Sequence, residues 1–427
     1  MKKEKFEKRK DLKINFLLIC FMIFPVVDML NGFFKSISID IPIGIFYRGF
    51  IIVLMLTIIL KYGIIINTLF LSSCSVFLIF LVLVLVQTLY FQRDLSLTFQ
   101  EFTSLIKFFL WIIILNFMNQ MNKIIMINDI EKIFIGSNIL FTMCYLIPRI
   151  LGLGEFSYDD SSAGYKAFFV GVNDATYVLI ILATFLVAYI LHTNGLTATR
   201  RSWLVLLFFM NSLIFVILGT KMALLWGIIL FFYFVIQFMI NKNRITIFEK
   251  SIFIIFLLTI IIITIFWGKE LVAIAWSGSF KRLKYFHQLY SGNILRFVTS
   301  SRSTYLGLAF KQLFKYKELS VLLCVIGFGY DYRWTLFNRK GGLIEMDSFD
   351  IFFSYGLIGI FLWSIFIIYI MMVLYKKREP NIYGWLLYIS LIYSFFAGHV
   401  FFSALSTSIF GFICSAIILS SRKGKED

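Results

Sequence analysis

Apolar runs long enough to cross a lipid bilayer recur along almost the whole chain. A transmembrane helix needs about 20 consecutive, mostly apolar residues, and windows of that length predict about twelve such helices. The one long polar stretch, from Gly268 to Asp350, separates the ninth predicted span from the tenth. The predicted spans lie near residues 16–34, 43–60, 64–90, 101–118, 133–152, 173–191, 203–218, 222–240, 250–267, 350–374, 382–398 and 402–420. The pattern therefore predicts an all-α integral membrane protein.

The composition agrees with a chain that lies mostly in lipid. Hydrophobic residues make up 60% of it and aromatic residues 19%, and the mean hydropathy is +0.90, well above ordinary soluble domains. Only 15% of the residues are charged, and no stretch changes composition as a linker between soluble domains would. We therefore expect a single polytopic membrane domain over residues 1–427 in a cell membrane, with residues 268–349 as one large external loop.

Lysine and arginine predict the orientation of the chain, because short cytoplasmic connections carry an excess of both. They cluster before the first span, after the even-numbered spans and in the tail, whereas the short connections on the other side hold few. The clustered residues are Lys2, Lys3, Lys5, Lys8, Arg9, Lys10, Lys13, Lys61, Lys123, Lys132, Arg200, Arg201, Lys242, Arg244, Lys250, Lys376, Lys377, Arg378, Arg422, Lys423 and Lys425. Both termini are therefore expected in the cytoplasm.

The 268–349 loop is the exception, since it is expected outside the cell and is nevertheless strongly basic. It holds twelve lysines and arginines against five acids. Long loops translocate largely regardless of charge, so this excess does not reverse the orientation. Two explanations remain open: attraction to anionic lipid headgroups, or a binding site for a phosphate-bearing substrate. Nucleic acid is not an expected partner despite the net charge of +17, because no aromatic and basic stacking module is recognisable.

Sequence motifs for several common chemistries are missing. The chain has no His-Glu-x-x-His, paired Cys-x-x-Cys, Walker loop or Gly-x-Ser-x-Gly sequence, and its three histidines and five cysteines are scattered. We therefore expect no metal or other cofactor. Gly327 and Gly329 do not open a βαβ unit and are expected to allow a tight turn. Gly356 and Gly359, in the tenth predicted span, are expected to allow close helix contact.

Four basic residues are candidates for a site at the predicted outer membrane boundary. Lys221 lies between the seventh and eighth spans, Arg48 at the external end of the second, and Arg302 and Arg333 in the large loop. Guanidinium offers a planar fork of donors that fits phosphate oxygens, and ammonium offers a point charge, so together they could bind a diphosphate. Each of three also has an ordinary explanation: Arg48 as a membrane anchor, Lys221 as a partner of helix-end carbonyls, and Arg302 as a solvated residue at a helix start.

Three acids, Glu345, Asp347 and Asp350, close the large loop. A helix that begins at Ser348 would place Asp350 one turn from Asp347, on nearly the same face. One of these carboxylates could accept the proton of a hydroxyl nucleophile. The alternative is structural: Asp347 or Ser348 would serve as a helix N-cap, and the helix dipole favours acids there, together by about 1 kcal/mol.

Two ionisable residues, Asp28 and Lys107, fall inside predicted spans, where such groups are costly unless they are paired or reach water. They keep a secondary transporter or lipid-linked glycan flippase open as an alternative function, with the two residues as each other's partners. Internal repeats, which are typical of such transporters, are not evident, and most charged residues lie outside the spans.

Six short motifs follow one another between about residues 160 and 375. They are the stretches Gly164 to Asp174 and Gly219 to Leu224, then Ser301-Arg302-Ser303-Thr304-Tyr305, Ile326-Gly327-Phe328-Gly329, Asp347-Ser348-Phe349-Asp350 and Ser354-Tyr355-Gly356-Leu357-Ile358-Gly359. In this order they resemble the O-antigen polymerase and O-antigen ligase superfamily of bacterial membrane glycosyltransferases.

The resemblance implies packed helices whose large loop covers a cavity open to the outer leaflet. It also implies an undecaprenyl-diphosphate-linked oligosaccharide as donor and an acceptor sugar hydroxyl that attacks the anomeric carbon, in an inverting transfer without metal or nucleotide sugar. Arg302 and Lys221 match positions where the family has basic residues thought to bind the diphosphate. A flippase and a chain-length regulator are further partners that the resemblance suggests.

Two departures from the family bear on the kind of transferase. Lys221 replaces the more usual arginine, which weakens any bidentate contact. No histidine stands just ahead of the Gly-x-x-Gly segment, Gly356-Leu357-Ile358-Gly359, at the place where ligases carry one. We therefore expect a surface-polysaccharide polymerase, for O-antigen, capsule or exopolysaccharide, with an O-antigen-ligase-like transferase to a different acceptor as the alternative.

The expected site combines the two groups of residues. The diphosphate-binding residues are Arg302, Lys221, Arg48 and Arg333. The catalytic group is Asp347, with Glu345 or Asp350, which would orient or deprotonate the acceptor hydroxyl.

Overall fold

The structure, a computed structural model, describes residues 12–158, 163–241, 245–266, 288, 296, 299–337, 342–376 and 381–423. Its helices, in chain order, are α1 (Leu12–Met22), α2 (Phe24–Ser36), α3 (Ile43–Tyr62), α4 (Thr68–Tyr90), α5 (Leu95–Gln120), α6 (Ile127–Ile150), α7 (Val172–His192), α8 (Ala198–Leu218), α9 (Lys221–Ile240), α10 (Ile247–Phe266), α11 (Arg302–Phe314), α12 (Leu319–Ile326), α13 (Tyr332–Phe337), α14 (Asp347–Tyr375), α15 (Ile382–Phe396) and α16 (Ala404–Lys423). Two strands, β1 (Glu155–Tyr158) and β2 (Ala163–Ala167), lie between α6 and α7.

Eight of the described helices are long and apolar enough to cross a membrane, namely α3 to α9 and α14. The bent pair α1 and α2 raises this number to nine if it forms one span; Pro25, near the start of α2, has no N–H with which to continue the preceding helix. The remaining predicted spans correspond to α10 and to the shorter apolar helices α15 and α16. The prediction of a helical, multi-pass membrane protein is therefore confirmed. The number twelve, the cytoplasmic termini and the external position of the loop stay predictions.

One β-hairpin departs from the all-α prediction. Strands β1 and β2 are antiparallel, and Glu155 pairs with Ala167 and Phe156 with Tyr165. The guanidinium of Arg149 lies 5.2 Å from the ring centre of Tyr165 and 5.8 Å from that of Phe156. The hairpin thus covers the end of α6 with aromatic surface. Hydropathy alone did not indicate it, because its strands are short and polar.

The described chain forms two compact units. The first takes its residues from 1–20, 45–131 and 292–427, and the second from 21–44 and 132–291. In the first unit α16 packs closely along α5, where a side chain at Gly411 would lie 2.9 Å from the backbone of Trp111. In the second unit α7 is the central helix and packs on α8 and α9. All predicted site residues except Lys221 belong to the first unit.

Helix α14 is interrupted at Gly356, where φ is 66° and ψ is −164°. Such a break frees carbonyl groups that a continuous helix would use, and these need other donors in an apolar environment. The backbone N–H of Phe328 donates to the carbonyl of Phe353, and that of Gly329 to the carbonyl of Ser354, both at 2.8 Å. Gln87 Nε2 also donates to Ser354, at 2.8 Å. The break is therefore part of the packing between the 326–332 turn and α14.

Gly327 and Gly329 form the tight turn predicted for them, with φ values of 75° and 86°. Gly356 provides the close contact predicted for it. The chain break at that residue was not expected from its position inside an apolar span.

Candidate functional site

Arg302 begins α11 and is the centre of a polar cluster in the first unit. Its Nη2 donates to Glu345 Oε2 at 2.9 Å, and its Nη1 donates to the carbonyl of Phe396 at 3.3 Å. Only 10% of the arginine side chain is exposed, which excludes the solvated helix-start explanation. Its Nε has no hydrogen-bond partner among the described residues. The fold therefore encloses this guanidinium without giving every one of its donors a partner among the described residues.

Glu345 is the accessible carboxylate of the cluster, with 40% of its side chain exposed. His399, from the segment between α15 and α16, places its Nε2 3.9 Å from Glu345 Oε1. Burial alone would raise the pKa of Glu345, but the nearby imidazole of His399 and the charge and hydrogen bond of Arg302 outweigh it and lower that pKa to about 2. Glu345 is therefore a carboxylate at neutral pH. It holds a cation on one side and an imidazole on the other.

Backbone conformations that side chains rarely adopt are concentrated around this cluster. In the described part of the chain, eight non-glycine residues have positive φ, and four of them are Ser300, Ser301, Glu345 and His399. Each such conformation costs on the order of 1–3 kcal/mol and persists only where the surroundings enforce it. A side chain at Gly398, which also has positive φ, would lie 2.5 Å from the carbonyl of Glu345. The two loops that carry Glu345 and His399 are thus pressed together at this point.

Asp350 and Arg333 form a buried ion pair beside the cluster. Both terminal nitrogens of Arg333 donate to Asp350 Oδ1 at 3.1 Å, and no part of the arginine is exposed. Asp350 also accepts the backbone N–H of Ile344 at 3.0 Å and that of Met346 at 3.2 Å. Four donors therefore occupy its two oxygens. The geometry gives this pair the role of holding the segment that carries Glu345.

Asp347 lies at the first position of α14 and is almost fully buried, with 1% of its surface exposed. Its Oδ2 accepts the backbone N–H of Val400 at 2.9 Å, so that it joins the start of α14 to the His399 loop. The N-cap predicted at Asp347 or Ser348 is wrong. Met346 occupies that position without a side-chain cap, and Asp350 reaches back to its N–H instead.

Lys221 and Arg48 lie on other helices. Lys221 is the first residue of α9 in the second unit, after Gly219, which ends α8, and after the N-cap Thr220. Arg48 is buried on α3, with 6% of its surface exposed. The structure thus joins Arg302 to Glu345 and Arg333 to Asp350, whereas the participation of Lys221 and Arg48 in one diphosphate site stays a prediction.

Lys107 has an acidic neighbour within its own unit, since its charge interacts with Asp331. Burial raises the pKa of Asp331, although a 2.6 Å hydrogen bond from Ser104 and the charge of Lys107 act against it. Asp28 belongs to the second unit. The suggested pairing of Asp28 with Lys107 stays a prediction.

Sequence reasoning missed His399, Arg93 and Glu101. His399 is remote in sequence from the Gly-x-x-Gly segment, and only the fold brings it to Glu345. Glu101 is the first residue of the apolar span predicted at 101–118. A charged residue at the edge of a span is itself a signal for function, and the rule that selected Asp28 and Lys107 applies to it as well.

Within the described part of the chain, no three His, Cys, Asp or Glu side chains converge as a metal site would require. The cluster instead combines one enclosed cation, one accessible carboxylate and one imidazole. Such a set can bind an anionic group, orient a hydroxyl and take up its proton.

No protein-family model matches the chain, and no curated protein matches it.

Proposed function

We propose that this protein is a polysaccharide polymerase of the cell membrane. It transfers undecaprenyl-diphosphate-linked glycan repeat units to an acceptor sugar hydroxyl at the outer membrane face. The observation that carries the proposal is the concentration of strained backbone around Arg302, at Ser300, Ser301, Glu345 and His399. Strain of this kind clusters at active sites. Here the surrounding fold enforces it at the place where an arginine, a carboxylate and a histidine lie together.

Arg302 is the residue to which we assign the leaving diphosphate. In an inverting transfer the diphosphate gains negative charge as the glycosidic bond breaks, and a fixed cation stabilises that charge in the transition state. A guanidinium carries five N–H groups, and the Phe396 carbonyl and Glu345 take two of those of Arg302. Arg48, which belongs to the same unit, is proposed to extend this cationic site, and Lys221 stays a diphosphate ligand predicted from the sequence. Arg333 supports it indirectly, because Asp350 already engages its guanidinium.

Glu345 and His399 are the groups to which we assign the acceptor hydroxyl. Glu345, ionised at neutral pH, accepts a hydrogen bond from the acceptor hydroxyl and orients the adjacent imidazole. His399 takes up the proton of that hydroxyl as its oxygen attacks. Asp347 fixes the His399 loop through the N–H of Val400, and Asp350 fixes the backbone of Glu345. The chemistry uses the side chains of this chain and the donor's own leaving group, without a cofactor.

The ligase-like alternative gains support from His399. The absence of a histidine before the Gly-x-x-Gly segment favoured a polymerase, yet the fold supplies a histidine to the same acidic cluster from the far end of the chain. A ligase would transfer the finished glycan to a different acceptor molecule. The two functions share the donor and differ in the acceptor alone.

The transporter or flippase alternative gains support from the interruption of α14 at Gly356. Discontinuous helices often form substrate sites in transporters. Here, however, Phe328, Gly329 and Gln87 satisfy the carbonyls near the break. A flippase and a chain-length regulator remain proposed partners of the polymerase.

The decisive test is polymerisation by the purified protein in nanodiscs. The oligosaccharide diphospholipid of the native host is supplied without metal or nucleotide, and glycan length is followed by gel and mass analysis. A ladder of repeat units with release of undecaprenyl diphosphate supports a polymerase. Consumption of the donor only after a distinct acceptor is added indicates a ligase. No turnover by folded protein with authentic donor rejects both transferase functions.

A further inference from the structure

Glu101 on α5 is a charged residue that the first unit encloses completely, with none of its surface exposed. A buried carboxylate is tolerated only with an opposite charge and with hydrogen bonds. Arg93 supplies the charge, with 3.4 Å between its Nη1 and Glu101 Oε1. Three consecutive backbone N–H groups supply the bonds: Tyr330 donates to Oε2 at 2.9 Å, and Asp331 and Tyr332 donate to Oε1 at 3.1 and 2.9 Å. The carboxylate therefore fixes the backbone of this turn.

Arg93 holds the same turn from a second side. Its Nη2 donates to the carbonyl of Phe328, and its guanidinium lies 4.7 Å from the ring centre of Tyr332. Together, Arg93 and Glu101 contact four residues between positions 328 and 332. The pair therefore holds this turn from two sides.

Arg333 follows directly after the three anchored N–H groups. It is the second residue of α13, and its side chain is fully buried against Asp350 Oδ1. Because the backbone of Arg333 continues the anchored turn, Glu101 sets the position from which the Arg333 guanidinium reaches Asp350.

Asp350 transmits that position to Glu345. It accepts the N–H groups of Ile344 and Met346, the residues on either side of Glu345. Glu345 itself has a left-handed backbone, with φ of 60°, and binds Arg302. By fixing both flanking amides, Asp350 helps to hold this unfavourable conformation.

We propose that Glu101 is a positioning residue for the Arg302–Glu345 pair, acting through the turn at 330–332, Arg333 and Asp350. It contacts neither Arg302 nor Glu345 through the hydrogen bonds described above. Its predicted effect on turnover rests on the proposed function, whereas its predicted effect on the loop does not.

Hydrogen–deuterium exchange of the full-length protein in nanodiscs tests the effect on the loop. Glu101→Gln keeps the size of the side chain and replaces one acceptor oxygen by an amide nitrogen, which cannot accept a hydrogen bond. The matched control is Glu249→Gln in the second unit. Glu249 is also buried beside an arginine, with 2.5 Å to Arg201 Nη1, and accepts a backbone N–H, from Thr246 at 2.8 Å.

The proposal expects faster exchange in peptides covering residues 342–350 in Glu101→Gln, because the amides of Ile344 and Met346 lose their fixed acceptor. Glu249→Gln is expected to leave these peptides unchanged. Equal exchange of the 342–350 peptides in Glu101→Gln and the wild type would overturn the proposal, as would an equal increase in both variants.

Kinetics separate positioning from general stability. Glu101→Gln is expected to lower kcat by about a hundredfold with little change in KM for the lipid-linked donor, because a misplaced group loses transition-state contacts. The double variant Arg93→Gln/Glu101→Gln removes the unpaired buried cation as well and should regain thermal stability relative to the single variant. Its kcat should stay low, since the three N–H groups still lack the carboxylate.

Recovery of kcat together with stability in the double variant would show that Glu101 only maintains the fold, and the proposal would be wrong. If the wild-type protein forms no polymer, the proposed function fails on its own. The exchange experiment then still decides whether Glu101 controls the Glu345 loop.

Discussion

Gly327 and Gly356 mark the place where two backbones of the first unit touch. A side chain at Gly327 would lie 2.5 Å from the carbonyl of Ser354, and one at Gly356 would overlap the carbonyl of Val325 and lie 2.6 Å from the nitrogen of Ile326. Both glycines have positive φ. The interruption of α14 and the Gly-Phe-Gly turn therefore depend on each other.

Gly356→Ala is expected to destabilise the protein strongly. The left-handed conformation alone costs an alanine about 1–3 kcal/mol, and the overlap with Val325 adds to this. The matched control is Gly307→Ala in the middle of α11. Among the described residues, no atom beyond its chain neighbours and its own helix backbone lies within 4 Å of the added methyl group, and alanine favours a helix by about 0.5–1 kcal/mol. Thermal unfolding in detergent should show a lower Tm for Gly356→Ala and an equal or higher one for Gly307→Ala. Equal Tm values for wild type and Gly356→Ala would contradict the described packing.

Arg302→Ala is expected to lower polymerisation by about two to three powers of ten, because it removes the cation assigned to the leaving diphosphate. Lys311→Ala on the same helix is the control. Lys311 is exposed, and the substitution removes one positive charge from the unit, as Arg302→Ala does. Initial rates with lipid-linked oligosaccharide would be compared at equal amounts of folded protein. Unchanged polymer length and yield in Arg302→Ala would reject the assignment.

The positions of the helices were predictable from sequence, and the reason is physical. In lipid, every backbone polar group must be satisfied within the span, so a long apolar run has little choice but to form a helix. The run predicted at 64–90 is the helix Thr68–Tyr90, and the run predicted at 350–374 is Asp347–Tyr375. Hydropathy therefore predicts where such a helix lies, but not its exact ends: the run predicted at 101–118 is the helix Leu95–Gln120.

The candidate site was predictable only in part. Arg302 and Glu345 could be selected, because charged motif residues at a membrane boundary are uncommon. The break at Gly356 depends on Gly327 from another segment, and the place of His399 depends on how two loops meet. Such contacts arise from tertiary packing and leave no local pattern.

The pKa of Glu345 predicts how acid affects stability. It is lowered from 4.5 to about 2 by His399 and Arg302 against the effect of burial, with Asp347 a further acid that faces His399. A lowered carboxyl pKa stabilises the folded state above the unfolded value, and this contribution is lost as pH falls from 4.5 through about 2. The Tm difference between wild type and Glu345→Gln should therefore shrink from about pH 5 to about pH 3.

The control for this pH series is Glu318→Gln, since Glu318 is exposed at the start of α12. Its Tm should follow that of the wild type throughout. A difference between wild type and Glu345→Gln that grows on acidification would contradict the described ion pair.

Asp350→Asn tests the buried pair with Arg333. Removal of one partner leaves an enclosed guanidinium without a counter-charge, which typically costs about 3–5 kcal/mol. Glu155→Gln is the comparison, because its 2.8 Å contact with Lys166 is partly exposed and such pairs contribute only about 0–1 kcal/mol. Denaturation in mixed micelles should separate the two variants clearly. Similar stabilities would mean that Arg333 finds another partner when Asp350 is neutral.

The orientation of the chain can be tested at the two ends of α7. The positive-inside rule places Val170, before the helix, outside the cell and Asn194, after it, in the cytoplasm, near Arg200 and Arg201. Both positions are exposed, so single cysteines there are accessible in a background without the five native cysteines. A membrane-impermeant thiol reagent applied to intact cells should label Val170→Cys, and should label Asn194→Cys only after the membrane is opened. The reverse pattern would invert the orientation. It would then place the 268–349 loop in the cytoplasm, where a polymerase acting at the outer face has no use for Arg302.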